Sequence, residues 1–277
     1  MLRASLVAVL CCAASCGAPA AGVTTPGTLP APDPTAPIVA PPIEVVARPG
    51  EQMIYRISLH GIDVAEFTVT VGAAVDLNGT TTIPVQTHAV SSPLLTLFHK
   101  VDDTLASWID LETGRPVKFT AHEMASAKSD AVEDTQVWFA PGAFKVEVMR
   151  DGERLDEEQV VLHDAYDIPS VLTFVRGWDA DVGARATLDI MRSRTAWRAD
   201  FTVGGHETTT TVLGDLAAVR VDGSGVRLRR DGSEDPASDR RKFSIWVSDD
   251  ADRVPLRLVA HTDYGDIRMD LAAYSAE

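Results

Sequence analysis

The stretch Phe67-Thr68-Val69-Thr70-Val71 alternates apolar and polar side chains, which is the pattern of a β-strand with one buried face. The same period of two recurs from Phe144 to Val148 and from Ile267 to Leu271. Because this period dominates the chain after residue 50, we expect a mainly β protein made of half-buried antiparallel strands.

Short turn sequences separate these strands. Asn-Gly and Asp-Gly pairs adopt positive φ at little steric cost, so they predict a meander of hairpins that forms a curved antiparallel sheet or an incomplete barrel. The apolar phase slips between Val64 and Phe67, which predicts a bulge near the start of the second strand. The predicted turns are Asn78-Gly79, Asp151-Gly152, Gly204-Gly205, Asp222-Gly223, Asp231-Gly232 and Tyr264-Gly265-Asp266.

One segment has helical spacing instead. Asp167 is a candidate N-cap, Pro169 lies in the first turn and Gly177 is the stop signal. We therefore predict an amphipathic helix of about ten residues that leans its apolar face on the sheet. Ser92-Pro93 predicts a second helical turn, and either helix is a candidate lid. The apolar positions of the longer helix are Ile168, Val171, Leu172 and Val175.

The first fifteen residues have the features of a bacterial signal peptide. Arg3 supplies a positive charge, residues 4–14 form an apolar run too short to span a bilayer, and small residues precede Cys16. This end resembles a lipobox, although Ala13 stands where leucine is commonest. Cleavage before Cys16 leaves it as the only cysteine of the mature chain, so we predict lipid attachment there. The alternative is ordinary secretory cleavage after Ala18-Pro19-Ala20.

Residues 16–49 follow as the lipidated cysteine and a proline-rich tether. Such a composition cannot form a core and favours an extended spacer of about 3 Å per residue. Residues 50–277 contain no second linker, so we predict a single antiparallel β domain. The recurring prolines are Pro30, Pro32, Pro34, Pro37, Pro41 and Pro42.

The chain is acidic, with a formal net charge of −15 at pH 7. This charge repels phosphate backbones and anionic membrane surfaces, so we expect no nucleic-acid partner.

The residues indicate no enzyme, no metal site and no cofactor. His122-Glu123 and His206-Glu207 lack the second histidine of a zinc-protease helix, and no nucleophile elbow or phosphate loop is present. His163-Asp164 has the composition of a general-base pair, but no nucleophile accompanies it. Abundant carboxylates leave glycoside cleavage as an alternative, since that reaction needs only two of them across a cleft.

Two stretches resemble each other. Trp108–Phe119 and Trp246–Leu258 each read strand, acidic turn, arginine, proline, strand. We expect hairpins in which aspartates accept turn N–H groups and the arginine pairs with those aspartates. Calcium binding at Asp249, Asp250 and Asp252 is the alternative, although the glycine and distal glutamate of a calcium loop are missing. We expect the five tryptophans to seal the core, the alternative being a sugar- or lipid-binding surface.

Several motifs together resemble the DUF3108 family of exported bacterial proteins. The resemblance implies a mostly antiparallel β protein of the bacterial envelope, and no activity is established for the family. A more distant similarity, to the LolA/LolB lipoprotein carriers, implies a curved incomplete barrel closed by helices over an apolar cavity. The motifs are Gly50-Glu51 with Tyr55 and Gly61; Leu97–Asp103 with Ser107 and Asp110; Asp167–Leu172 with Arg176; and Trp246–Asp250 with Arg253 and Pro255.

These observations predict a non-enzymatic, lipid-anchored envelope protein that binds a lipid or other apolar ligand in the periplasm. Its partners would be the membrane, through Cys16, and that ligand. The residue after Cys16 is Gly17, and not the aspartate that retains lipoproteins at the inner membrane of enteric bacteria, so the resemblance implies the outer membrane. The alternatives are a protein-interaction module in envelope assembly and a carbohydrate-active enzyme.

Overall fold

A computed structural model describes residues 41, 43–96, 100–126, 129–140, 143–160, 162, 165–193 and 195–276. The predicted signal peptide, Cys16 and the tether up to residue 40 lie outside the described residues, as do His99, His163 and Asp164. Among the residues that are described, no helix is long and apolar enough to cross a membrane.

The described chain consists mostly of strands. They are β1 (Gln52–Leu59), β2 (Ile62–Val71), β3 (Val75–Leu77), β4 (Thr80–Ser91), β5 (Asp102–Asp110), β6 (Pro116–Ser126), β7 (Ser129–Ala140), β8 (Ala143–Arg150), β9 (Glu153–Val160), β10 (Ala165–Asp167), β11 (Arg185–Arg192), β12 (Thr195–Thr211), β13 (Gly214–Leu228), β14 (Arg241–Ser248), β15 (Pro255–Thr262) and β16 (Gly265–Ser275). The helices are α1 (Pro93–Thr96) and α2 (Ile168–Gly177).

These strands form one sheet in the order β10-β11-β12-β13-β14-β15-β16-β1-β2-β4-β5-β6-β7-β8-β9, with β3 paired to β4. Neighbours are antiparallel except β10 and β11, which are parallel because α2 connects them. The path has two ends and does not close on itself. The predicted mainly β fold, a curved antiparallel sheet of successive hairpins, is confirmed.

The predicted bulge is present in β2. Ile57 faces Ala65 and Ser58 faces Asp63, so Val64 is the extra residue. Asn78-Gly79 and Asp151-Gly152 form turns in which all four residues have positive φ. The turn chemistry at these positions therefore acts as the sequence predicts.

Two predicted turns are wrong, because Gly204-Gly205 lies within β12 and Asp222-Gly223 within β13. The first pair sits at a register shift between Val203 and His206. At Gly223 a Cβ atom would lie 2.2 Å from the Phe243 ring. Glycine serves there to admit a neighbouring aromatic ring, and not to turn the chain.

Helix α2 begins and ends where the sequence predicts, with Asp167 as N-cap and Pro169 in the first turn. Its environment differs from the prediction, since all ten residues are buried. Strands β4, β5, β10 and β11 pack against α2, and no residue of the helix is left exposed, which corrects the expectation of an amphipathic helix with a solvent face. The second predicted helical turn is present as the single turn α1.

Candidate functional site

The N-terminus of α2 is fixed by a buried carboxyl group. The Asp167 Oδ1 atom accepts the Ser170 N–H at 2.8 Å, and Oδ2 accepts the Ser107 hydroxyl of β5 at 2.7 Å. Burial raises the pKa of Asp167 to about 6, against the hydrogen bonds from Ser107 and Ser170, which lower it. This one side chain therefore connects α2 to the opposite half of the sheet.

The C-terminal end of α2 is held by a buried ion pair. The Arg176 guanidinium donates to both oxygens of Glu51, at 2.8 and 2.7 Å, and also to the Asp252 carbonyl at 2.8 Å. The side chains of Glu51 and Arg176 are only 0% and 4% exposed. Tyr274 donates its hydroxyl to Glu51, and burial raises the pKa of Tyr274 to about 12. The pair is bidentate, which is a strong geometry for a buried charge.

The two similar hairpins, β5–β6 and β14–β15, each present an arginine to one end of α2. Arg253 donates to the carbonyls of Arg176 and Trp178, at 2.5 and 3.1 Å. Arg115 lies 5.4 Å from the ring centroid of Tyr166, just before α2. The prediction that Arg253 pairs with the turn aspartates is therefore corrected, because the orphan carbonyls at a helix end attract a cation more directly.

The aspartates of these turns accept backbone N–H groups, as predicted. Asp110 accepts from Glu112, and Asp250 accepts from Asp252 and Arg253. Turn geometry therefore accounts for the acidic residues at these positions.

Residues 43–47, called the strap below, pass close to the C-terminus of α2 and to the β5–β6 turn. Ile43, Val45 and Ala47 pack against the hydrophobic core, although the strap belongs to no strand. A Cβ atom at Gly177 would lie 2.0 Å from the Glu44 carbonyl oxygen. Gly177 does not have positive φ, so the close approach of the strap explains this glycine.

A second glycine supports the same contact. At Gly114, in the β5–β6 turn, a Cβ atom would lie 2.5 Å from the Ile43 side chain. Arg48 follows the strap and forms a salt bridge with Asp252. Packing therefore extends upstream of residue 50, where the sequence places the start of the domain; that boundary itself stays a prediction.

The strap borders a small apolar cavity between α2 and the sheet. Its volume is about 10 Å³, room for about one water molecule. An acyl chain does not fit into this space as it stands. The cavity is lined by Ala47, Met53, Tyr55, Val69, Val71, Val85, Leu172, Thr173, Arg176 and Pro255.

A second buried ion cluster joins the two halves of the sheet. Arg192 of β11 donates to Glu123 of β6 at 2.6 Å and to Asp103 of β5 at 3.1 Å. Burial raises the pKa of Asp103, against the attraction of Arg192. Strand β11 is not a neighbour of β5 or β6 in the sheet, so these side chains connect strands that the backbone ladder does not.

The outer face of β5–β8 carries an open groove of about 430 Å³. Tryptophans flank it, which corrects the expectation that all five seal the core. Trp178 is buried, whereas Trp138 is 38% exposed and Trp108 is half-buried. Alternation along the strands explains the difference, because Leu105 and Ile109 occupy the inner face of β5 and leave Trp108 on the outer face.

The histidines predicted to be unsuited to metal binding contact carboxylates singly. His122 lies 2.7 Å from Asp134, and His206 lies 2.8 Å from Asp249. Among the described residues, no group of three or more histidine, cysteine, aspartate or glutamate side chains is placed to hold a metal ion.

The sequence analysis does not predict the contact between Glu51 and Arg176. Glu51 and Arg176 are 125 positions apart and both occur in the motifs quoted for the family resemblance, but only the fold brings them together. A charged residue inside the apolar pattern of the predicted helix was the signal that a buried partner was needed.

One solved structure has a fold similar to this architecture. A β-barrel-like protein of the domain of unknown function DUF1849 from Brucella abortus is 9% identical, with a TM-score of 0.55, and the match covers 83% of this chain and 99% of that one. This likeness shows the fold alone. The hypothetical lipoprotein YmcC from Escherichia coli (K12) is 10% identical with a TM-score of 0.29, over 81% and 87% of the two chains.

A comparison with curated proteins found no match to the sequence. The DUF3108 family model, described as a protein of unknown function, matches residues 54–272. This range contains all the strands of the sheet except the first two residues of β1 and the last three of β16. The resemblance inferred from the motifs is confirmed, and the chain belongs to the DUF3108 family.

Proposed function

We propose that this protein is a non-enzymatic lipoprotein of the bacterial envelope that binds a lipid or other apolar ligand. The N-terminal pattern that ends at Cys16 supports export and lipid anchoring. Gly17 supports the outer membrane, with the folded part facing the periplasm. The ligand site lies at the C-terminal end of α2, beneath the strap.

The strap is the observation that carries this proposal. Its apolar residues lie on the core without joining a strand, next to an apolar cavity. A surface that accepts an extended apolar segment of the chain itself has the shape and chemistry to accept an acyl chain in its place. Because the cavity measures only about 10 Å³ while the strap is docked, binding requires the strap to move away.

The experiment displaces the strap with Gly177→Ala, since an added methyl group collides with the Glu44 carbonyl. Gly205→Ala is the matched control, because nothing lies within 4 Å of a Cβ atom there and Gly205 does not have positive φ. The probe is cis-parinaric acid, titrated into the exported chain 17–277 without its anchor. We expect Gly177→Ala to bind it several-fold more tightly than the wild type and Gly205→Ala to match the wild type.

Lipid extraction followed by mass spectrometry on the same three proteins, purified without detergent, identifies the ligand class. Stoichiometric retention of one lipid class, highest in Gly177→Ala, is the expected result. The proposal is refuted if none of the three proteins retains lipid and none binds the probe.

The second candidate is a protein-interaction module. It is favoured by β9, which ends the sheet and pairs on one side with β8. A strand at a sheet edge can pair with a strand of a partner protein. Specific crosslinking of an envelope protein through β9, with no lipid retained, would favour this function over the first.

A further inference from the structure

The outer face of β5–β8 carries an ordered row of aromatic and cationic side chains. Trp108 faces Lys118 across β5 and β6, and Lys118 faces Trp138 across β6 and β7. The Lys118 Nζ atom lies 4.7 Å from the Trp108 ring centroid and 5.1 Å from that of Trp138. Cation–π attraction therefore holds both indoles in place, although Trp138 remains 38% exposed.

Two rows of polar side chains lie beside the aromatic row on the same face. Thr120 and Gln136 face each other across β6 and β7, and Glu147 follows on β8. The next row contains the pair His122 and Asp134. All five residues line the groove of about 430 Å³, a volume within the range of small-molecule sites. Hydrogen-bond donors and acceptors therefore converge on one concave surface next to indole rings.

The charges on this surface pair locally. Glu147 lies 2.5 Å from Arg154, and the Asp134 Oδ1 atom lies 2.7 Å from the His122 Nδ1 atom. Each paired carboxylate keeps further lone pairs for a ligand, because an ionised carboxylate has about four acceptor sites. Paired charges give the groove no strong preference for an anion or a cation. An apolar ligand would leave these polar groups without water or partners, which costs free energy.

A sugar ring has both an apolar face and a polar rim, which match the indole rings beside the groove and the polar side chains that line it. Its C–H faces pack on indole rings, whose π faces are electron-rich, and its hydroxyl rim exchanges hydrogen bonds with hydroxyl, amide and carboxylate groups. We propose that the groove on the outer face of β5–β8, with Gln136 in its lining and the Trp138 ring at its border, binds a neutral oligosaccharide. The site is separate from the strap and does not depend on the function proposed above.

The test uses the full-length lipidated protein in detergent micelles. Saturation-transfer difference NMR is run with three neutral probes, maltotriose, cellotriose and triacetylchitotriose, and affinities follow from titration. We expect at least one trisaccharide to bind, with roughly tenfold weaker affinity in Trp138→Ala, the size expected for losing one aromatic contact. Gln136→Ala is expected to weaken binding several-fold without removing an aromatic ring.

Trp246→Ala is the matched control. Trp246 is the tryptophan of the similar hairpin, faces Arg257 across β14 and β15, and has the Arg257 guanidinium 6.0 Å from its ring centroid. It lies on β14, away from the β5–β8 face, so this variant should retain wild-type affinity. Failure of all three trisaccharides to bind would overturn the proposal, and so would binding that is unchanged in Trp138→Ala and Gln136→Ala. Blocking of the groove by a protein partner, with no sugar bound, would overturn it as well.

Discussion

At the scale of single residues, Asp167 combines two demands that oppose each other. It must stay buried to join Ser107 to the first turn of α2, yet burial raises its pKa to about 6. The usual pKa of aspartate in an unfolded chain is about 3.9. The folded protein therefore binds this proton more tightly than the unfolded chain does.

The first prediction follows from that difference in pKa. Between about pH 4 and pH 6 the folded state holds more protons at Asp167, so its contribution to stability is greatest at low pH and is lost as the pH rises. Asp167→Asn removes the titration and keeps an oxygen that can cap α2. We expect the variant to gain on the order of 2 kcal/mol relative to the wild type between pH 4 and pH 7, measured by urea unfolding.

Asp76→Asn is the control for this pH series. Asp76 also accepts the N–H of the residue three positions on, Gly79, but it is exposed. Its stability difference from the wild type should change far less over the same range. Parallel curves for the two variants would contradict the assignment of the effect to burial.

The second prediction concerns Arg192, which lies between two buried carboxylates. Arg192→Met leaves Asp103 and Glu123 facing each other in the interior without a cation, so we expect a loss of about 3–5 kcal/mol in the free energy of unfolding at pH 7. Arg240 also bridges two carboxylates, Asp200 and Glu234, at the surface.

Arg240→Met should therefore cost less than about 1 kcal/mol, because water screens exposed ion pairs. Urea titrations of both variants measure the contrast. Equal losses would mean that Arg192 contributes no more than an exposed ion pair does.

At the scale of elements, α2 and the strap depend on each other. The third prediction is that Gly177→Ala destabilises the protein by about 1–3 kcal/mol, as overpacking does, and detaches the strap. A detached strap should be cleaved by added protease within residues 43–47 well before the sheet is. Gly205→Ala should show the wild-type rate of cleavage. Unchanged protection in Gly177→Ala would show that the strap contact is not tight.

Local patterns predict individual elements well and their surroundings poorly. Asp167, Pro169 and Gly177 mark both ends of α2, because capping depends on neighbours in sequence. The same residues do not reveal that the whole helix is buried. The pairs Gly204-Gly205 and Asp222-Gly223 match turn sequences for a related reason. The sequence does not distinguish a glycine that turns the chain from one such as Gly223, which leaves room for the Phe243 ring.

At the scale of the whole molecule, the fourth prediction tests attachment to the membrane. Cys16 lies outside the described residues, and Cys16→Ser removes the thiol to which a lipid can be joined. We expect this variant to incorporate no labelled palmitate and to leave the membrane fraction. Ser15→Ala is the control, because alanine is equally small at the cleavage site. Retention of label in Cys16→Ser would contradict attachment at Cys16, and absence of label from the wild type would favour the ordinary secretory cleavage instead.

The amino-acid sequence is enough to predict the mainly β class, the succession of hairpins, the bounds of α2 and the family, because each depends on local periodicity, turn chemistry or motif order. What these elements enclose follows from contacts between distant parts of the chain. The pairing of β1 with β16, the contact of Glu51 with Arg176 and the strap over Gly177 join residues far apart in the chain. The groove on the outer face of β5–β8 and its position beside Trp138 likewise depend on the register between neighbouring strands, which no single stretch of residues encodes.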